Sequence, residues 1–264
     1  MRRIDGTVAF ITGASSGIGA ALAVELARRG ADVVLAARRT DRLEETAEEV
    51  RSHGRRALAV ACDVTRDGDV EAAVAAALGQ LGRLDWVVAN AGFGVAGAMH
   101  KLTIDDVRRQ FETNVFGVLR TFYASRDALI ASRGSLTIMG SVSGELPFPR
   151  SGPYSMSKFA VRALAGALWH ELDRHGVAVT LVEPGFVDSE IRRVDNEGVL
   201  REDWQDKLPR WIRMRTDVAA RKIASAITRR RRKVVITGHG KVAVALERLA
   251  PGLLAHAIRR FGGR

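Results

Sequence analysis

The stretch TVAFITGASSGIGAALAVELARRGADVVLAARRT, residues 7–40, decides the fold. It contains an apolar run at 7–11, a glycine-rich loop, a helical pattern at 18–29 and a second apolar run at 32–37. Glycines between a first strand and a first helix permit a sharp turn and let backbone N–H groups approach a pyrophosphate at the helix N-terminus. The stretch therefore predicts a strand–loop–helix–strand unit whose loop binds phosphate groups.

The same alternation of apolar runs and helical patterns continues along the chain. Five further strands are predicted, at residues 57–62, 84–89, 135–140, 177–183 and 233–237. Helical patterns fill the gaps, at residues 42–53, 68–81, 104–131 and 154–175. Near-continuous apolar strands separated by helices indicate a parallel sheet with helices on both faces. The expected fold class is α/β, a single doubly wound Rossmann-type domain with a seven-stranded parallel sheet.

The domain organisation follows from where this alternation is interrupted. We expect one domain over residues 1–240 and an amphipathic basic extension over residues 241–264. Residues 188–215 follow the sixth strand, are polar and contain Trp204 and Trp211, so a variable lid is expected there. The two tryptophans either line a hydrophobic pocket or pack the lid, and we favour the pocket.

Composition excludes several classes of protein. The chain has 264 residues, of which 47% are hydrophobic, and one cysteine, Cys62. A single cysteine excludes an internal disulfide framework and is typical of a reducing compartment. The apolar run after the N-terminal arginines is too short for a signal peptide, and no run reaches the ~20 apolar residues of a membrane span. We therefore expect a cytoplasmic protein.

The net charge of +11 comes from the last quarter of the chain. Residues 201–264 contain 17 basic and 5 acidic residues, whereas residues 1–200 contain 24 basic and 25 acidic residues. The run RRRRK at 229–233 precedes a strand and lacks interleaved aromatic residues. Nucleic-acid binding is therefore not expected.

Apolar residues recur beside arginines in the C-terminal extension: Leu246, Leu249, Leu253, Leu254, Ile258 and Phe261. Such a segment can pack on the domain, join subunits, cover a substrate pocket or lie on an anionic membrane surface. We rank packing or a subunit contact first. Peripheral membrane contact through residues 229–264 ranks second.

Tyr154 and Lys158 are four residues apart in the helical pattern at 154–175 and so share one helix face. A phenol has a pKa of about 10, and a neighbouring ammonium group lowers it, so the phenol can act as an acid or base near neutral pH. Ser141 ends the fifth strand, where its hydroxyl can hydrogen-bond a substrate oxygen. The six histidines show no metal-ligand spacing, and no metal is expected.

The end of the second strand indicates which cofactor is preferred. Ala37 occupies the place where an NAD site offers an acid to the ribose, and Arg38 and Arg39 follow it. An arginine there favours the 2′-phosphate of NADP. One charge-assisted contact contributes roughly 1.5–3 kcal/mol, which predicts at least about a tenfold preference for NADP(H) over NAD(H).

Four motifs in register, TGASSGIG (12–19), NAG (90–92), Ser141 and YSMSK (154–158), resemble the short-chain dehydrogenase/reductase family. The resemblance extends over roughly residues 5–190. It implies an NADP(H)-dependent oxidoreductase that interconverts a carbonyl and a secondary alcohol by hydride transfer. We expect its substrate to be a lipophilic small molecule.

The resemblance also implies roles for individual residues. Tyr154 is the acid or base, Ser141 holds the substrate oxygen, Lys158 holds the nicotinamide ribose, and Asn114 holds a proton-relay water. For Asn114, helix packing or backbone bonding is the alternative. The implied cofactor-binding residues are Gly13, Ser15, Ser16, Gly17, Ile18, Gly19, Arg38, Arg39, Asp63, Val64, Asn90, Ala91, Gly92, Tyr154, Lys158, Pro184, Gly185, Val187 and Ser189.

Four of these cofactor positions have a more specific implied role. Asp63 contacts the adenine ring, and Pro184 with Gly185 shapes the nicotinamide pocket. Ser189 stands where the family usually has threonine, and it keeps the hydroxyl that can hold the carboxamide.

Two other functions remain open. One is a 3-oxoacyl-carrier-protein reductase, because a basic surface suits an acidic carrier, although the long extension fits that group poorly. The other is a non-catalytic NADP-sensing protein, which has no need of Ser141, Tyr154 and Lys158 together. By resemblance we also expect a homo-oligomer, a dimer or tetramer, paired through residues 104–131 and 154–175.

Overall fold

The computed structural model describes residues 3–206 and 208–261. Residues 1, 2 and 207 of the expected domain lie outside this description, as do residues 262–264 of the expected extension and the side chain of Phe261. The described chain forms a seven-stranded sheet in the order β3-β2-β1-β4-β5-β6-β7. Every neighbouring pair of strands is parallel, which confirms the predicted fold class.

The strands lie within about two residues of their predicted positions. They are β1 (Val8–Thr12), β2 (Asp32–Ala37), β3 (Ala57–Ala61), β4 (Trp86–Ala89), β5 (Ser135–Met139), β6 (Ala178–Glu183) and β7 (Lys233–Val235). The α-helices are α1 (Gly17–Arg28), α2 (Thr40–Ser52), α3 (Asp69–Leu81), α4 (Ile104–Phe111), α5 (Gly117–Ser132), α6 (Gly152–Asp173), α7 (Thr216–Thr228), α8 (Gly238–Leu249) and α9 (Pro251–Phe261).

Alternate residues of each central strand enter two separate hydrophobic cores, one on each face of the sheet. In β1, Ala9 and Ile11 face the core formed with α1, α2 and α7, whereas Val8 and Phe10 face the core formed with α3, α5 and α6. Side chains of a strand alternate between faces, so a strand buried on both faces is apolar throughout. This is why the continuous apolar runs predicted a parallel sheet.

The strand order reverses between β1 and β4. The chain winds from β1 to β2 and β3 in one direction, then returns to β4 beside β1 and continues outward to β7. In an open α/β sheet, the crevice at the carboxyl ends of the strands beside such a switch point is where ligands bind. The fold therefore places the glycine loop after β1 next to the residues that follow β4.

The long helix predicted at 104–131 is interrupted. A π-helical turn, Glu112–Phe116, separates α4 from α5 and contains Asn114. The side chain of Asn114 accepts a hydrogen bond from the Phe93 N–H at 3.1 Å and donates one to the Phe93 carbonyl at 3.0 Å. Such single π turns are rare and are frequent at functional sites, and regular helical periodicity does not reveal them.

Two helices, α8 and α9, contain the expected C-terminal extension. The inner face of α9 packs on the segment after β5, because Leu254 and Ile258 join a cluster with Val142 and Leu146. Leu253, elsewhere on α9, is 75% accessible, and Leu249 at the end of α8 is 85% accessible. Packing on the domain therefore accounts for one face of the extension.

Members of the basic run at 229–233 have partners within the protein. Arg230 donates hydrogen bonds to the carbonyls of Gly176 and Arg133, at 3.0 and 2.5 Å. The guanidinium of Arg232 lies 4.6 Å from the ring centroid of Trp169.

Lys233 forms ion pairs with two buried carboxylates. It contacts Glu145, and it lies 3.1 Å from Glu183 at the end of β6. Separately, no helix within residues 3–206 and 208–261 is long and apolar enough to cross a membrane.

We predict that the packed and the exposed leucine and isoleucine side chains of α8 and α9 respond differently to truncation. Leu254→Ala and Ile258→Ala should each lower the free energy of unfolding by about 1–2 kcal/mol, since both side chains are partly buried. Leu249→Ala and Leu253→Ala are the matched controls and should change it by less than about 0.5 kcal/mol. Urea denaturation measures all four, and equal losses in both pairs would contradict the observed packing.

Candidate active site

A cleft with a volume of about 450 Å³ opens at the carboxyl edge of the sheet. It is lined by nearly all of the residues that the sequence proposed for cofactor binding and catalysis. These are Gly13, Ser15, Ser16, Gly17, Ile18, Gly19, Arg38, Arg39, Asp63, Val64, Asn90, Ala91, Gly92, Ser141, Tyr154, Lys158, Pro184, Gly185, Val187 and Ser189. Among the proposed residues, Asn114 does not line the cleft.

The glycine loop at one end of the cleft is packed against the turn after β4. A Cβ atom at Gly13 would lie 2.8 Å from the Ala91 Cα, and one at Gly19 would lie 2.6 Å from the side-chain nitrogen of Asn90. The Asn90 amide donates hydrogen bonds to the carbonyls of Thr12 and Gly13, at 2.9 and 3.1 Å. Glycine is therefore required at both positions for this close approach.

The start of α1 faces the cleft without a capping side chain. Ser16 is the N-cap residue, but its hydroxyl makes no capping hydrogen bond, and Gly17 adopts a left-handed φ of 57°. The first N–H groups of an α-helix have no partner inside the helix, and an anion at the N-terminus can accept their hydrogen bonds. The geometry fits a pyrophosphate at this position.

The two arginines after β2 form the rim beside the glycine loop. Arg38 is exposed and donates a hydrogen bond to the Gly198 carbonyl of the lid at 3.1 Å. Arg39 donates to Ser16 Oγ at 2.8 Å and to Glu190 Oε2 at 3.0 Å. Burial raises the pKa of Glu190, but hydrogen bonds from Arg39 and Ser16 outweigh it and keep this pKa below the usual value.

The other end of the cleft contains Ser141, Tyr154 and Lys158. Ser141 follows β5, and Tyr154 and Lys158 lie one turn apart in α6. The side chains of Ser141 and Tyr154 both line this end of the cleft, and the Ser143 N–H donates to Ser141 Oγ at 3.1 Å. The ammonium nitrogen of Lys158 lies 5.6 Å from the Tyr154 ring centroid and donates to the Met139 carbonyl at 2.8 Å. The structure thus brings the three predicted catalytic side chains together.

The electrostatics of Tyr154 differ from the expectation drawn from the sequence. Burial raises the pKa of Tyr154, and this outweighs the lowering by the Ser141 hydrogen bond and the positive charge of Arg192. Burial also lowers the pKa of Lys158 to about 8. A lowered phenol pKa was expected from Lys158 alone. In the structure the phenol is kept protonated near neutral pH, and Arg192 is the cation that opposes this.

Asn114 lies behind the wall of the cleft and is fully buried. Besides its two hydrogen bonds to Phe93, its amide donates to Ser157 Oγ at 3.2 Å. These contacts are those of a backbone-bonding residue that ties the π turn to the segment after β4 and to α6. The role of Asn114 in holding a relay water stays a prediction.

The lid covers the cleft, but not through its tryptophans. Trp204 is 45% and Trp211 is 84% accessible, and neither lines the cleft, so the interpretation of both as pocket residues is wrong. Their place is taken by smaller apolar residues of the lid: Ile191, Val194 and Leu200. Periodicity cannot show which side of an irregular segment faces inward, and this explains the error.

Sequence reasoning missed several residues that act on the site from a distance. Arg192 is held by Asp206 at 2.6 Å and by the Val187 carbonyl at 3.1 Å. Thr237 and His239 contact the turn after β6 that carries Pro184 and Gly185. No local motif marks these pairs. The available signal was topological, since the carboxyl ends of β6 and β7 must be neighbours in a parallel sheet.

Within the described residues, no group of three or more histidine, cysteine or acidic side chains is arranged to hold a metal ion. The cleft is lined by the phosphate-binding loop, the basic rim and the side chains of Ser141, Tyr154 and Lys158.

Comparison with known proteins decides the family. The model of the family described as short chain dehydrogenase matches residues 7–199. The chain belongs to the short-chain dehydrogenase/reductase family. The seven-stranded sheet agrees with it: a short-chain dehydrogenase/reductase from Burkholderia phymatum, solved in complex with NAD, superposes with a TM-score of 0.86 at 28% identity and covers 96% of each chain.

Curated relatives within the family have different activities. An 11-beta-hydroxysteroid dehydrogenase A from Sesamum indicum is 34% identical over 238 residues, which cover 88% of this chain and 68% of that protein. A glycine betaine reductase from Emericella nidulans is 40% identical over 183 residues, which cover 69% of this chain but only 14% of that much longer protein. The family is one of oxidoreductases, and membership alone does not fix the substrate.

We predict that the buried charge of Lys158 destabilises the fold. Below pH 8, burial of the Lys158 ammonium lowers the free energy of unfolding by its full amount, because the group is charged in both the folded and the unfolded protein. This cost decreases as the pH rises from the folded pKa of about 8 towards the ordinary lysine value of 10.5. The shift corresponds to about 3 kcal/mol, and loss of the Met139 hydrogen bond offsets about 1 kcal/mol of it. At pH 7 the free energy of unfolding of Lys158→Met should therefore exceed that of the wild type by about 2 kcal/mol, and the variant should unfold at a higher denaturant concentration.

Denaturation of both proteins from pH 7 to pH 10 measures this difference, which should shrink as the pH rises. Lys241→Met removes an exposed ammonium and serves as the control, with little change expected. A Lys158→Met protein that is less stable than the wild type at pH 7 would contradict the assignment of a costly buried charge.

Proposed function

We propose that the protein is an NADP(H)-dependent oxidoreductase that interconverts a carbonyl and a secondary alcohol, with a lipophilic substrate. The observation that carries this proposal is the meeting of Ser141, Tyr154 and Lys158 in the same cleft as the glycine loop. A nucleotide-binding cleft alone is compatible with a sensor. Two hydroxyl groups and an ammonium group in that cleft are what a reductase requires.

The residues of the cleft fit a nicotinamide dinucleotide. The glycine loop leaves no room for a Cβ at Gly13 or Gly19 and exposes the N-terminus of α1, which suits a pyrophosphate. Lys158 and the 184–189 segment line the opposite end, where the nicotinamide riboside would lie. When bound, the nicotinamide supplies or accepts the hydride.

The side chains of the cleft provide the proton chemistry. Because burial raises the pKa of Tyr154, its hydroxyl is protonated at neutral pH and can donate a proton to a carbonyl oxygen as negative charge develops there. The Ser141 hydroxyl lines the same end of the cleft and can donate a second hydrogen bond to that oxygen. The positive charge of Arg192 stabilises the tyrosinate that remains after transfer, and the reverse steps serve alcohol oxidation.

The preference for NADP(H) rests on the rim of the cleft. Arg38 and Arg39 are both present there, and Ala37 supplies no carboxylate to the ribose. Arg39 is already paired with the Glu190 carboxylate, whereas Arg38 donates a hydrogen bond to the Gly198 carbonyl of the lid and forms no ion pair with any residue that the structure describes. We assign the 2′-phosphate contact chiefly to Arg38. The lipophilic substrate is supported by Phe93, Ile191, Val194 and Leu200, which line the catalytic end and lid.

The 3-oxoacyl-carrier-protein reductase remains the second candidate, and the concentration of positive charge in residues 201–264 favours it. An acidic carrier protein would be attracted to such a surface, and the attraction would weaken with salt. A carrier-bound thioester in the assay therefore distinguishes the two candidates.

The first test is NADPH oxidation against a panel of ketones, aldehydes and 3-oxoacyl thioesters. We predict turnover of at least one member, and a fall of at least about a hundredfold in kcat for Tyr154→Phe, because proton transfer contributes 10²–10⁴-fold. Tyr123→Phe removes an exposed hydroxyl from α5 and is the control. Turnover that survives Tyr154→Phe would exclude this residue as the acid.

The second test concerns the cofactor. Arg38→Ala should lower kcat/KM for NADPH by at least about tenfold and leave kcat/KM for NADH nearly unchanged, because only NADPH has the phosphate that the guanidinium binds. Arg231→Ala removes an exposed arginine far from the cleft and controls for net charge. A wild-type preference for NADH would refute the assignment of Arg38 without affecting that of Tyr154.

A further inference from the structure

The turn after β6 is held from behind by two side chains that follow β7. The Gly185 N–H donates a hydrogen bond to Thr237 Oγ1 at 3.2 Å. The next N–H along the chain, that of Phe186, donates to His239 Nε2 at 2.9 Å. Two consecutive peptide groups of the segment at 184–187, which lines the cleft, are therefore oriented by residues that lie outside the catalytic motifs.

The hydroxyl of Thr237 does not cap its own helix. Thr237 is the N-cap residue of α8, where a threonine normally accepts a hydrogen bond from the first turn of its own helix. Here it makes no capping bond, is fully buried and accepts from Gly185 instead. This hydroxyl therefore binds the 184–187 segment and not the first turn of its own helix.

His239 contacts the segment in two ways. Its ring stacks on that of Phe186, with centroids 5.2 Å apart and an interplanar angle of 24°. Burial lowers the pKa of His239, so the imidazole is neutral at neutral pH. Its Nε2 lone pair is then available to the Phe186 N–H, and the ring proton resides on Nδ1.

The packing around these two side chains leaves little freedom. A Cβ atom at Gly185 would overlap Thr237 Oγ1 and lie 2.5 Å from His239 Nε2. A Cβ atom at Gly240 would lie 2.5 Å from Thr237 Oγ1 and 2.8 Å from Val142, the residue after Ser141. The first turn of α8 thus packs closely against both the 184–187 segment and the segment that carries Ser141.

We infer that Thr237 and His239 are positioning residues that fix the 184–187 segment against the nicotinamide end of the cleft, so that the C-terminal part of the chain sets the geometry of hydride transfer. The inference rests on the proposed function. Its physical basis is that a misplacement of about 1 Å at a reacting centre can reduce the rate about a hundredfold. Without these acceptors, the N–H groups of Gly185 and Phe186 would form hydrogen bonds with other partners, and the 184–187 segment would shift.

Two matched pairs of variants test the inference. Thr237→Val and His239→Leu remove the acceptor and keep much of the volume, whereas Thr237→Ser and His239→Gln keep an oxygen in place of Oγ1 and Nε2. Each acceptor-free variant should lose at least about tenfold in kcat, while the dissociation constant of NADPH changes less than about threefold, because the phosphate contacts are untouched. The Ser and Gln variants should recover most of the lost kcat.

Amide hydrogen exchange of the peptide that contains residues 184–187 provides a readout that needs no substrate. Exchange should accelerate in Thr237→Val and His239→Leu and return towards the wild-type rate in Thr237→Ser and His239→Gln. Unchanged exchange in the acceptor-free variants would overturn the inference whatever the turnover. Equal loss of kcat in both members of each pair would also overturn it, because general packing damage and not the acceptor would then be responsible.

These outcomes are separable from failure of the proposed function. If the wild-type protein oxidised NADPH with no carbonyl of the panel, the proposed function would fail, and the exchange pattern would still decide whether the two side chains fix the segment. If the wild type turns over and the exchange pattern is absent, the proposed function stands and the inference fails.

Discussion

The hydrogen bonds that join the carboxyl ends of β1 and β4 are the contact on which the rest of the site depends. Thr12 Oγ1 accepts from the N–H groups of Asn90 and Ala91, at 3.0 and 3.2 Å, while the Asn90 side chain bonds the carbonyls of Thr12 and Gly13. These hydrogen bonds lie at the switch point of the sheet, where the crevice opens. They hold the glycine loop in the conformation that exposes the start of α1. Parallel pairing then carries Ser141, Pro184 and the residues after β7 to the same edge, so that groups far apart in sequence meet in one cleft.

The catalytic end of the cleft combines features that oppose stability. Lys158 is 5% accessible, and burial brings its pKa down to about 8, while burial raises the pKa of Tyr154. Two apolar cores, one on each face of the sheet, stabilise the fold and offset the cost of burying these ionisable groups. The raised pKa keeps the phenol protonated, which is the state needed to reduce a carbonyl, and the positive charge of Arg192 limits the cost of its deprotonation. Destabilised, partly desolvated groups of this kind are characteristic of functional sites.

The fold was predictable because each strand and each helix is marked by the residues of its own segment. A strand such as β2, buried on both faces, is an uninterrupted apolar run, and the glycines of the first loop mark a close backbone approach. The π turn at Asn114 was not predictable, because the stretch Glu112–Phe116 contains no glycine or proline that would mark an irregular turn. The contacts of Thr237 with Gly185 and of Arg192 with Asp206 depend on the path of loops, which no spacing records. For the same reason Trp204 and Trp211 were wrongly expected in the pocket that Val194 and Leu200 line.

The central claim is that the glycine loop, the basic rim and the Ser141–Tyr154 pair form one site for one dinucleotide and its substrate. A crystal structure of the protein with NADPH tests it most directly. The account predicts the pyrophosphate at the start of α1, the 2′-phosphate at Arg38, and the nicotinamide between the 184–187 segment and Tyr154. NADPH bound with its nicotinamide away from Tyr154, or a cleft that stays empty at saturating NADPH, would contradict it.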